Sequence, residues 1–289
     1  MKIRTRDFRV PQGGRVRLGK WPTRVPPVYE TESDYDKMLA RHVSRLSALQ
    51  ELLYASDQYT LLVIFQGMDT SGKDGAIKHV MSGVNPQGCR VTTFKHPSAT
   101  ELQHDFLWRA VQALPERGCI GIFNRSYYEE VLVVRVHPEL LRAEGLPDSK
   151  LKDAKVWKGR YRSIVDLERH LERCGTRVIK FFLHLSKDEQ RERLIARLDD
   201  PEKSWKFNVG DIDERNFWPS YMDAYERCLG ATSTANAPWH IVPADDKRNA
   251  RLIVSQVIVE TLEKLDMRYP QLDAAEQQKL LSVHAALKA

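Results

Sequence analysis

The sequence contains a glycine-rich stretch whose residue types and spacing suit the binding of phosphate. Residues 66–80 read QGMDTSGKDGAIKHV, and Gly67, Gly72 and Lys73 fit the pattern G-x-x-x-x-G-K. Such a loop turns its backbone N–H groups towards one anion, and the helix that follows adds partial positive charge. The residues of this loop that we predict to bind phosphate are Gly67, Thr70, Ser71, Gly72, Lys73 and Asp74.

Two carboxylates lie in or beside this loop, and without a cation they would repel phosphate. A serine or threonine usually follows the lysine and helps to hold Mg²⁺, but here Asp74 takes that position, and Asp69 lies inside the loop. A cation between carboxylate and phosphate replaces repulsion by attraction, because Mg²⁺ binds the oxygens of both. We therefore predict Mg²⁺, with Mn²⁺ as a substitute. The alternative for Asp74 is an acid that only stabilises the start of the next helix.

A third apolar run ends in the letters FNRSYYEE (residues 123–130), which also carry candidate site residues. Asn124 stands where a metal-holding strand would usually end in aspartate, and Glu129 and Glu130 can supply the missing charge. Arg125 has a fork of donors that suits phosphate, although a structural salt bridge is the alternative. The residues that we predict to hold the metal are Asp69, Asn124, Glu129 and Glu130.

Five apolar runs of strand length alternate with helical patterns and could position these residues. The runs are continuous rather than alternating, which is typical of parallel strands buried on both faces. Repeated alternation of strand and helix predicts an α/β fold, a parallel sheet with helices on both faces. The predicted strands are residues 61–67, 90–97, 118–126, 176–186 and 238–245.

Helical spacing of apolar residues predicts a long helix in residues 29–55, before the first strand, and a single helix in residues 101–114. No shift in composition divides the chain, so we predict one α/β domain, residues 28–289. Its additions are an N-terminal arm, residues 1–27, and a charged segment at about 188–216.

The composition excludes several classes of protein. The 289 residues are 42% hydrophobic and 29% charged, and no apolar run approaches the roughly 20 residues of a membrane span. The four cysteines are far apart and do not form a disulfide framework, so reduced thiols in a cytoplasm are predicted. The nine histidines lack the spacing of zinc ligands.

Positive charge is concentrated in the N-terminal arm. Residues 1–27 hold eight lysines and arginines against the single acid Asp7, whereas the rest of the chain is close to neutral. Three interpretations stay open for this arm: a solvated tail, a surface that meets a polyanion, or an organellar transit peptide. The presence of Asp7 and the scarcity of serine fit the last of these poorly.

Four long motifs resemble the polyphosphate kinase 2 family. They read GMDTSGKDGAIKHVMSGVNPQG, FKHPSATELQHDFLWR, FNRSYYEEVLVVRVHPE and DPEKSWKFNVGDIDERNFW, and the resemblance covers roughly residues 28–265. It implies a P-loop kinase fold like that of thymidylate kinase, a three-layer α/β/α sandwich with a helical lid. It further implies Mg²⁺-dependent, reversible transfer of a phosphoryl group between inorganic polyphosphate and nucleotides such as AMP, ADP and ATP. Assembly into homodimers or homotetramers is also implied. We predict no membrane or nucleic-acid partner.

The resemblance also assigns roles to individual residues. Asp69 and Lys73 match the loop aspartate and lysine at the transfer centre, and Asn124 with Arg125 matches the third-strand pair. Through Asn124 the chain resembles the branch of the family that acts on nucleoside mono- and diphosphates. Glu129 matches a position that the family associates with the choice of acceptor. Glu130 replaces the aspartate of many relatives, which puts its contact with metal in doubt.

The motif DPEKSWKFN resembles the family's lid, with Arg193 and Arg197 on the helix just before it. We predict that Asp69, Lys73, Arg125 and Arg193 are catalytic and that Arg193 closes over the site as an arginine finger. Lys95 resembles a phosphate-contacting residue of nucleotide kinases. The further candidates for holding the polyanion are Lys78, His79, Lys203, Lys206 and the N-terminal arm.

Two other functions stay open on the sequence. An ATP-dependent nucleotide kinase could use the same fold, but it would need an ordinary serine or threonine in place of Asp74. A non-catalytic polyanion-binding protein would explain the basic arm and leave Asp69 and the two glutamates without a role. For Trp205 and Trp218, packing in the lid and stacking on a base are both open.

Overall fold

The computed structural model describes residues 3–151, 155–207 and 210–288, without the side chain of Lys206. Its centre is a sheet of five parallel strands in the order β2-β3-β1-β4-β5. The strands are β1 Thr60–Gln66, β2 Cys89–Thr93, β3 Ile120–Asn124, β4 Thr176–His184 and β5 Trp239–Pro243. The α/β fold and the five predicted strands are therefore confirmed, with ends that differ by a few residues.

Helices cover both faces of the sheet in three layers. The described α-helices are α1 Glu32–Ser56, α2 Lys73–Val80, α3 Ala99–Leu102, α4 Trp108–Val111, α5 Val133–Val136, α6 Pro138–Ala143, α7 Asp148–Leu151, α8 Val156–Arg173, α9 Lys187–Leu198, α10 Gly210–Asn216, α11 Trp218–Thr232, α12 Lys247–Leu262 and α13 Ala274–Lys288. Helices α1, α2 and α12 pack together, and α8 packs against β4 and α11. The described residues form two hydrophobic cores, and alternate residues of β1 contribute to each. Leu61 and Val63 belong to one core, and Leu62 and Ile64 belong to the other.

The register of the sheet gathers the predicted site at one edge. Phe65 of β1 lies opposite Asn124 of β3, so the phosphate loop and the end of the third strand start side by side. Gln66 lies opposite Phe182 of β4 on the other side. The carboxyl ends of adjacent parallel strands are where open α/β sheets bind ligands.

The prediction of one helix in residues 101–114 is wrong. The structure has two short helices there, α3 and α4, which are separated by a turn. Asp105 accounts for the break, because its carboxylate accepts the backbone N–H of Leu107 at 2.9 Å and competes with the helical hydrogen bond.

The N-terminal segment, residues 3–27, lies against the domain and is not a solvated tail. Val10, Val16 and Leu18 are 1%, 5% and 3% exposed. The N–H of Val10 donates to the carbonyl of Trp239 at 2.9 Å, and Arg9 forms an antiparallel bridge with His240. The boundary predicted at residue 27 stays a prediction, as does contact of the arginines with a polyanion.

Burial of His240 beneath this segment predicts sensitivity to acid. Burial, with Arg9 close by, lowers the pKa of His240 from 6.5 to about 3. Between about pH 3 and pH 6.5 the unfolded chain therefore binds a proton at His240 that the folded protein does not bind. The free energy of unfolding consequently falls as the pH drops below about 6.5. We expect His240→Phe to remove roughly 3 kcal/mol of this loss at about pH 4. Urea unfolding at several pH values measures it.

The matched control is His284→Gln on the exposed helix α13. This variant should follow the wild-type pH dependence. Equal acid sensitivity of His240→Phe and wild type would show that His240 is not the responsible group.

None of the helices in the described part of the chain combines the length and apolar character that a bilayer span requires.

Candidate active site

The phosphate loop joins the end of β1 to α2 through a backbone that glycine makes possible. Gly67 has φ 154° and Gly72 has φ 98°, both outside the range that side chains favour. A Cβ at Gly67 would lie 2.9 Å from the carbonyl oxygen of Leu183, so a larger residue does not fit. Thr70 also adopts a left-handed conformation, at φ 62°, which costs free energy in a β-branched residue.

Lys73 folds back across the loop. Its Nζ donates to the carbonyl oxygens of Gly67 and Met68 at 2.7 and 3.2 Å and to Ser71 Oγ at 3.4 Å. Burial lowers the pKa of Lys73, Arg125 lowers it further, and Asp69 opposes the shift. A phosphate bound in the loop would place negative charge beside Lys73 and stabilise the charged form of its side chain. This is consistent with the predicted role of Lys73.

Two polar pairs link the loop to the end of β3. Arg125 Nη2 donates to Asp69 Oδ1 at 3.0 Å, and Asn124 Nδ2 donates to Asp74 Oδ1 at 2.5 Å. Arg125 Nη1 also lies 3.9 Å from Glu129 Oε2. The structure thus brings together the predicted residues Asp69, Asp74, Asn124, Arg125 and Glu129.

The donor set at this edge suits a magnesium ion that arrives with phosphates. Among the described residues there is no cluster of three or more histidine, cysteine or acidic side chains that could form a metal cage. Mg²⁺ in phosphoryl-transfer sites is usually held by one or two carboxylates, water and the substrate's own phosphates. Asp69, with Asn124 and Asp74 beside it, provides oxygen ligands of that kind.

A large open cavity surrounds the loop, and we call it the phosphate cavity. Its volume is about 720 Å³. The lysines and arginines in its wall are Lys73, Lys95, Arg125, Arg193, Arg197, Lys203 and Lys247. The excess of positive charge over Asp69, Asp74 and Asp211 suits a polyanion.

The phosphate cavity does not include every predicted phosphate-binding residue. Lys78 is exposed on α2 and is not part of this wall. The side chain of Lys206 lies outside the described residues. Lys247, at the start of α12, was not among the predicted phosphate-binding residues, although its position shortly after the last parallel strand was a signal for it.

A second, more apolar cavity opens beside the first, and we call it the apolar cavity. Its volume is about 150 Å³. The apolar side chains in its wall are Phe94, Pro97, Leu102, Phe106, Val133, Val134, Leu140 and Ala143. Four residues line both cavities: Phe94, Lys95, His96 and Arg125. Arg125 therefore stands at the junction of a polyanion-binding space and a space for an apolar or aromatic group.

Glu130 lies in the wall of the apolar cavity and not with Asp69. It pairs with Arg109 at 3.0 Å and with Arg160 at 3.8 Å. Burial raises the pKa of Glu130 to about 7, and Glu144 adds to the shift while both arginines oppose it. The structure thus does not bring Glu130 to the other predicted metal ligands, because consecutive residues of the 3-10 helix Tyr127–Val131 point in different directions.

Arg193 holds the loop in place instead of pointing freely into the phosphate cavity. Its Nη1 donates to the carbonyl of Thr70 at 3.0 Å, and its Nη2 donates to those of Ala244 and Asp245 at 2.6 and 3.2 Å. Its Nε donates to Glu189 at 2.9 Å. An arginine finger would have to break these bonds, so this geometry favours a clamp between α9, the phosphate loop and the end of β5.

The clamp makes a prediction for Arg193→Lys. One ammonium cannot replace donors directed at three backbone carbonyls, so we expect the free energy of unfolding to fall by about 1–3 kcal/mol without substrate. Urea unfolding measures this, with Arg191→Lys as the control because Arg191 is exposed on the same helix. Unchanged stability together with a large fall in kcat would instead support the arginine finger.

The predicted lid, at about 188–216, contributes to the phosphate cavity through α9 and α10. Arg197 Nη1 lies 3.3 Å from Asp211 Oδ2, which joins these two helices. Lys203 forms an ion pair with Asp200 in the turn between them. Residues 208 and 209 of the predicted lid lie outside the described residues. Closure of this segment over substrate stays a prediction.

The parallel sheet, the glycine-rich loop and the two cavities define a phosphotransferase of the P-loop kinase class. The family model described as Polyphosphate kinase 2 (PPK2) matches residues 29–270. This chain belongs to the polyphosphate kinase 2 family, as the sequence motifs indicated.

Known relatives match this chain over nearly its whole length. An ADP-polyphosphate phosphotransferase of Rhodopseudomonas palustris is 60% identical over 287 residues, 99% of each chain. An AMP/ADP-polyphosphate phosphotransferase of Meiothermus ruber is 45% identical and covers 94% of this chain and 98% of its own. The crystal structure of polyphosphate kinase 2 from Arthrobacter aurescens superposes with a TM-score of 0.85 at 41% identity, covering 96% of this chain and 95% of that one.

Proposed function

We propose that this chain transfers phosphoryl groups reversibly between inorganic polyphosphate and adenosine nucleotides, forming ADP and ATP from AMP and ADP. The observation that carries the proposal is the position of Arg125 in the walls of both cavities. A group that passes from a polyanion in one cavity to a nucleotide in the other must cross this junction. Membership of the family and the names of the two relatives support the same reaction.

The chemistry of each wall supports an assignment of the substrates. The phosphate cavity takes polyphosphate, because its lysines and arginines surround the loop and it is large and open. The apolar cavity takes the nucleoside of the acceptor, because aromatic and aliphatic side chains bury a base. Asn124 and Glu129 support acceptance of both AMP and ADP through the family resemblance.

The residues at the junction would align the reacting groups and neutralise their charge, which is most of what phosphoryl transfer needs. Lys73 and Arg125 would donate to oxygens of the transferred group, and Arg193 holds the phosphate loop that carries Lys73. Asp69, with Asn124 and Asp74 beside it, would hold Mg²⁺. The bound ion would neutralise charge on neighbouring phosphates.

The test is ATP formation by purified protein with Mg²⁺ and long-chain polyphosphate, with ADP and separately with AMP. We expect nucleoside triphosphate from both acceptors, and none when polyphosphate is omitted. A parallel reaction replaces polyphosphate with GTP. Turnover with GTP and none with polyphosphate would make the protein an ordinary nucleotide kinase, and binding without turnover would make it a polyanion-binding protein.

Two further properties stay predictions. Assembly into a homodimer or homotetramer is supported by the family resemblance, and light scattering after size-exclusion chromatography tests it. A cytoplasmic location is supported by the dispersed cysteines, none of which forms a disulfide in the described residues. Cell fractionation tests it.

A further inference from the structure

A buried ion pair lies between β4 and α8, in the layer behind the site. Lys180 is 0% exposed and Glu168 is 1% exposed, and Lys180 Nζ lies 2.6 Å from Glu168 Oε2. The same ammonium donates to the hydroxyl of Tyr128 at 2.9 Å and to the carbonyl of Thr232 at 2.8 Å. All three ammonium donors therefore have an acceptor.

The other carboxylate oxygen of Glu168 holds two consecutive tyrosines. The hydroxyls of Tyr127 and Tyr128 donate to Oε1 at 3.0 and 2.7 Å. Both tyrosines are 0% exposed and open the 3-10 helix Tyr127–Val131. Helix α8 makes one more hydrogen bond to this 3-10 helix, because Arg160 Nη1 donates to the carbonyl of Glu130 at 3.0 Å.

Stability alone does not explain a buried charge pair at this place. Replacing such a pair with apolar residues of similar volume is often neutral or stabilising. A fully bonded network of this kind instead allows one arrangement of its members, because any other leaves a buried group unsatisfied. The segment fixed in this way carries Glu129 and begins two residues after Arg125.

Arg125 needs such support on both sides. Its φ of 63° is left-handed, a conformation that is strained for a non-glycine residue and persists only when neighbouring structure imposes it. On one side its N–H donates to the carbonyl of Phe65 at 3.0 Å. On the other side Ser126 leads directly into Tyr127 and Tyr128, which Glu168 holds.

We propose that Glu168 and Lys180 are positioning residues for phosphoryl transfer, acting through Tyr127 and Tyr128 to hold Arg125 and Glu129 at the junction of the two cavities. The inference rests on the proposed function. The ion pair has no net charge, so it acts by placement. Without it, Arg125 would relax from its left-handed backbone, and its guanidinium would leave Asp69.

The test removes only hydroxyl groups. Tyr127→Phe, Tyr128→Phe and the double variant keep the rings and lose the bonds to Glu168. The matched control is Tyr161→Phe, a buried tyrosine in the same core and on α8 itself, whose hydroxyl bonds Arg135 instead. For each variant we measure kcat and KM for polyphosphate, ADP and AMP, with the thermal midpoint measured alongside.

We expect kcat of the double variant to fall at least about tenfold, since small misplacements of reacting groups cost up to about 100-fold. KM for polyphosphate should stay within about twofold, and the ratio of ADP to AMP activity should change. Tyr161→Phe should keep both kcat and the ratio. If the double variant does not fold, the single variants decide, with smaller changes in the same direction.

Two results would overturn the inference. One is a lower thermal midpoint with kcat and acceptor ratio unchanged, which would make the network purely structural. The other is an equal fall in kcat for Tyr161→Phe. Absence of polyphosphate turnover in the wild type would overturn the proposed function instead, so the two failures are distinguishable.

Discussion

Replacement of Asp69 by asparagine is expected to lower kcat for polyphosphate-dependent ATP formation by about 1,000-fold, the upper range for losing one preorganised electrostatic contact at a transfer site. Asparagine keeps the size of the side chain but loses the charge that would hold Mg²⁺ and that pairs with Arg125 at 3.0 Å. Binding of polyphosphate should be retained, because Lys73 and the other cations of the phosphate cavity remain. Initial rates and a direct binding measurement test both parts.

The control for charge is Asp188→Asn in the first turn of α9, outside the wall of the phosphate cavity. It makes the same change in net charge and should leave kcat within about twofold of wild type. Wild-type turnover in Asp69→Asn would remove Asp69 from the catalytic residues. Loss of binding together with turnover would mean that Asp69 shapes the loop instead of acting in transfer.

Replacement of Lys180 by methionine is expected to destabilise the protein by about 3–5 kcal/mol, because it leaves the buried carboxylate of Glu168 without its cation. Domains are usually stable by only about 5–15 kcal/mol, so this is a large fraction of the total. The urea midpoint measures the change.

The double variant Lys180→Met with Glu168→Met separates charge burial from packing. It removes both charges and should recover most of the lost stability, although two tyrosine hydroxyls lose an acceptor. A double variant as unstable as Lys180→Met alone would contradict this account. Recovered stability with kcat still low would support positioning of Arg125 by the ion pair.

The sequence was sufficient for the sheet and the loop because both depend on local patterns. Each buried parallel strand is a continuous apolar run, and the glycine spacing directly after β1 locates the phosphate loop. The segment 101–114 shows the limit of such patterns. Its apolar spacing is helical, but one side chain, Asp105, binds the backbone and divides it.

The atoms that meet in the site could not be predicted, because they depend on backbone angles and on distant segments. Glu129 and Glu130 are neighbours in sequence, yet one faces Arg125 and the other faces Arg109. Arg193 has the residue type of a finger, but three of its partners are backbone carbonyls, which no sequence pattern marks. The apolar cavity joins residues from Phe94, just after β2, to Glu144, just after α6, and only folding brings them together.

The packing of the N-terminal segment also affects how the chain reaches its fold during synthesis. Thr5 bonds Glu260, 255 positions later, and Arg9 bonds the carbonyl of Ala235, 226 positions later. The ribosome adds about 5–20 residues per second, so these first residues wait roughly 10 to 50 s for their partners. During that time Val10, Val16 and Leu18 lack the late-synthesised part of their core, which includes Trp239 and Ile241, and stay exposed in a positively charged segment. A segment that is synthesised 226 to 255 positions before its partners is thus among the last to pack.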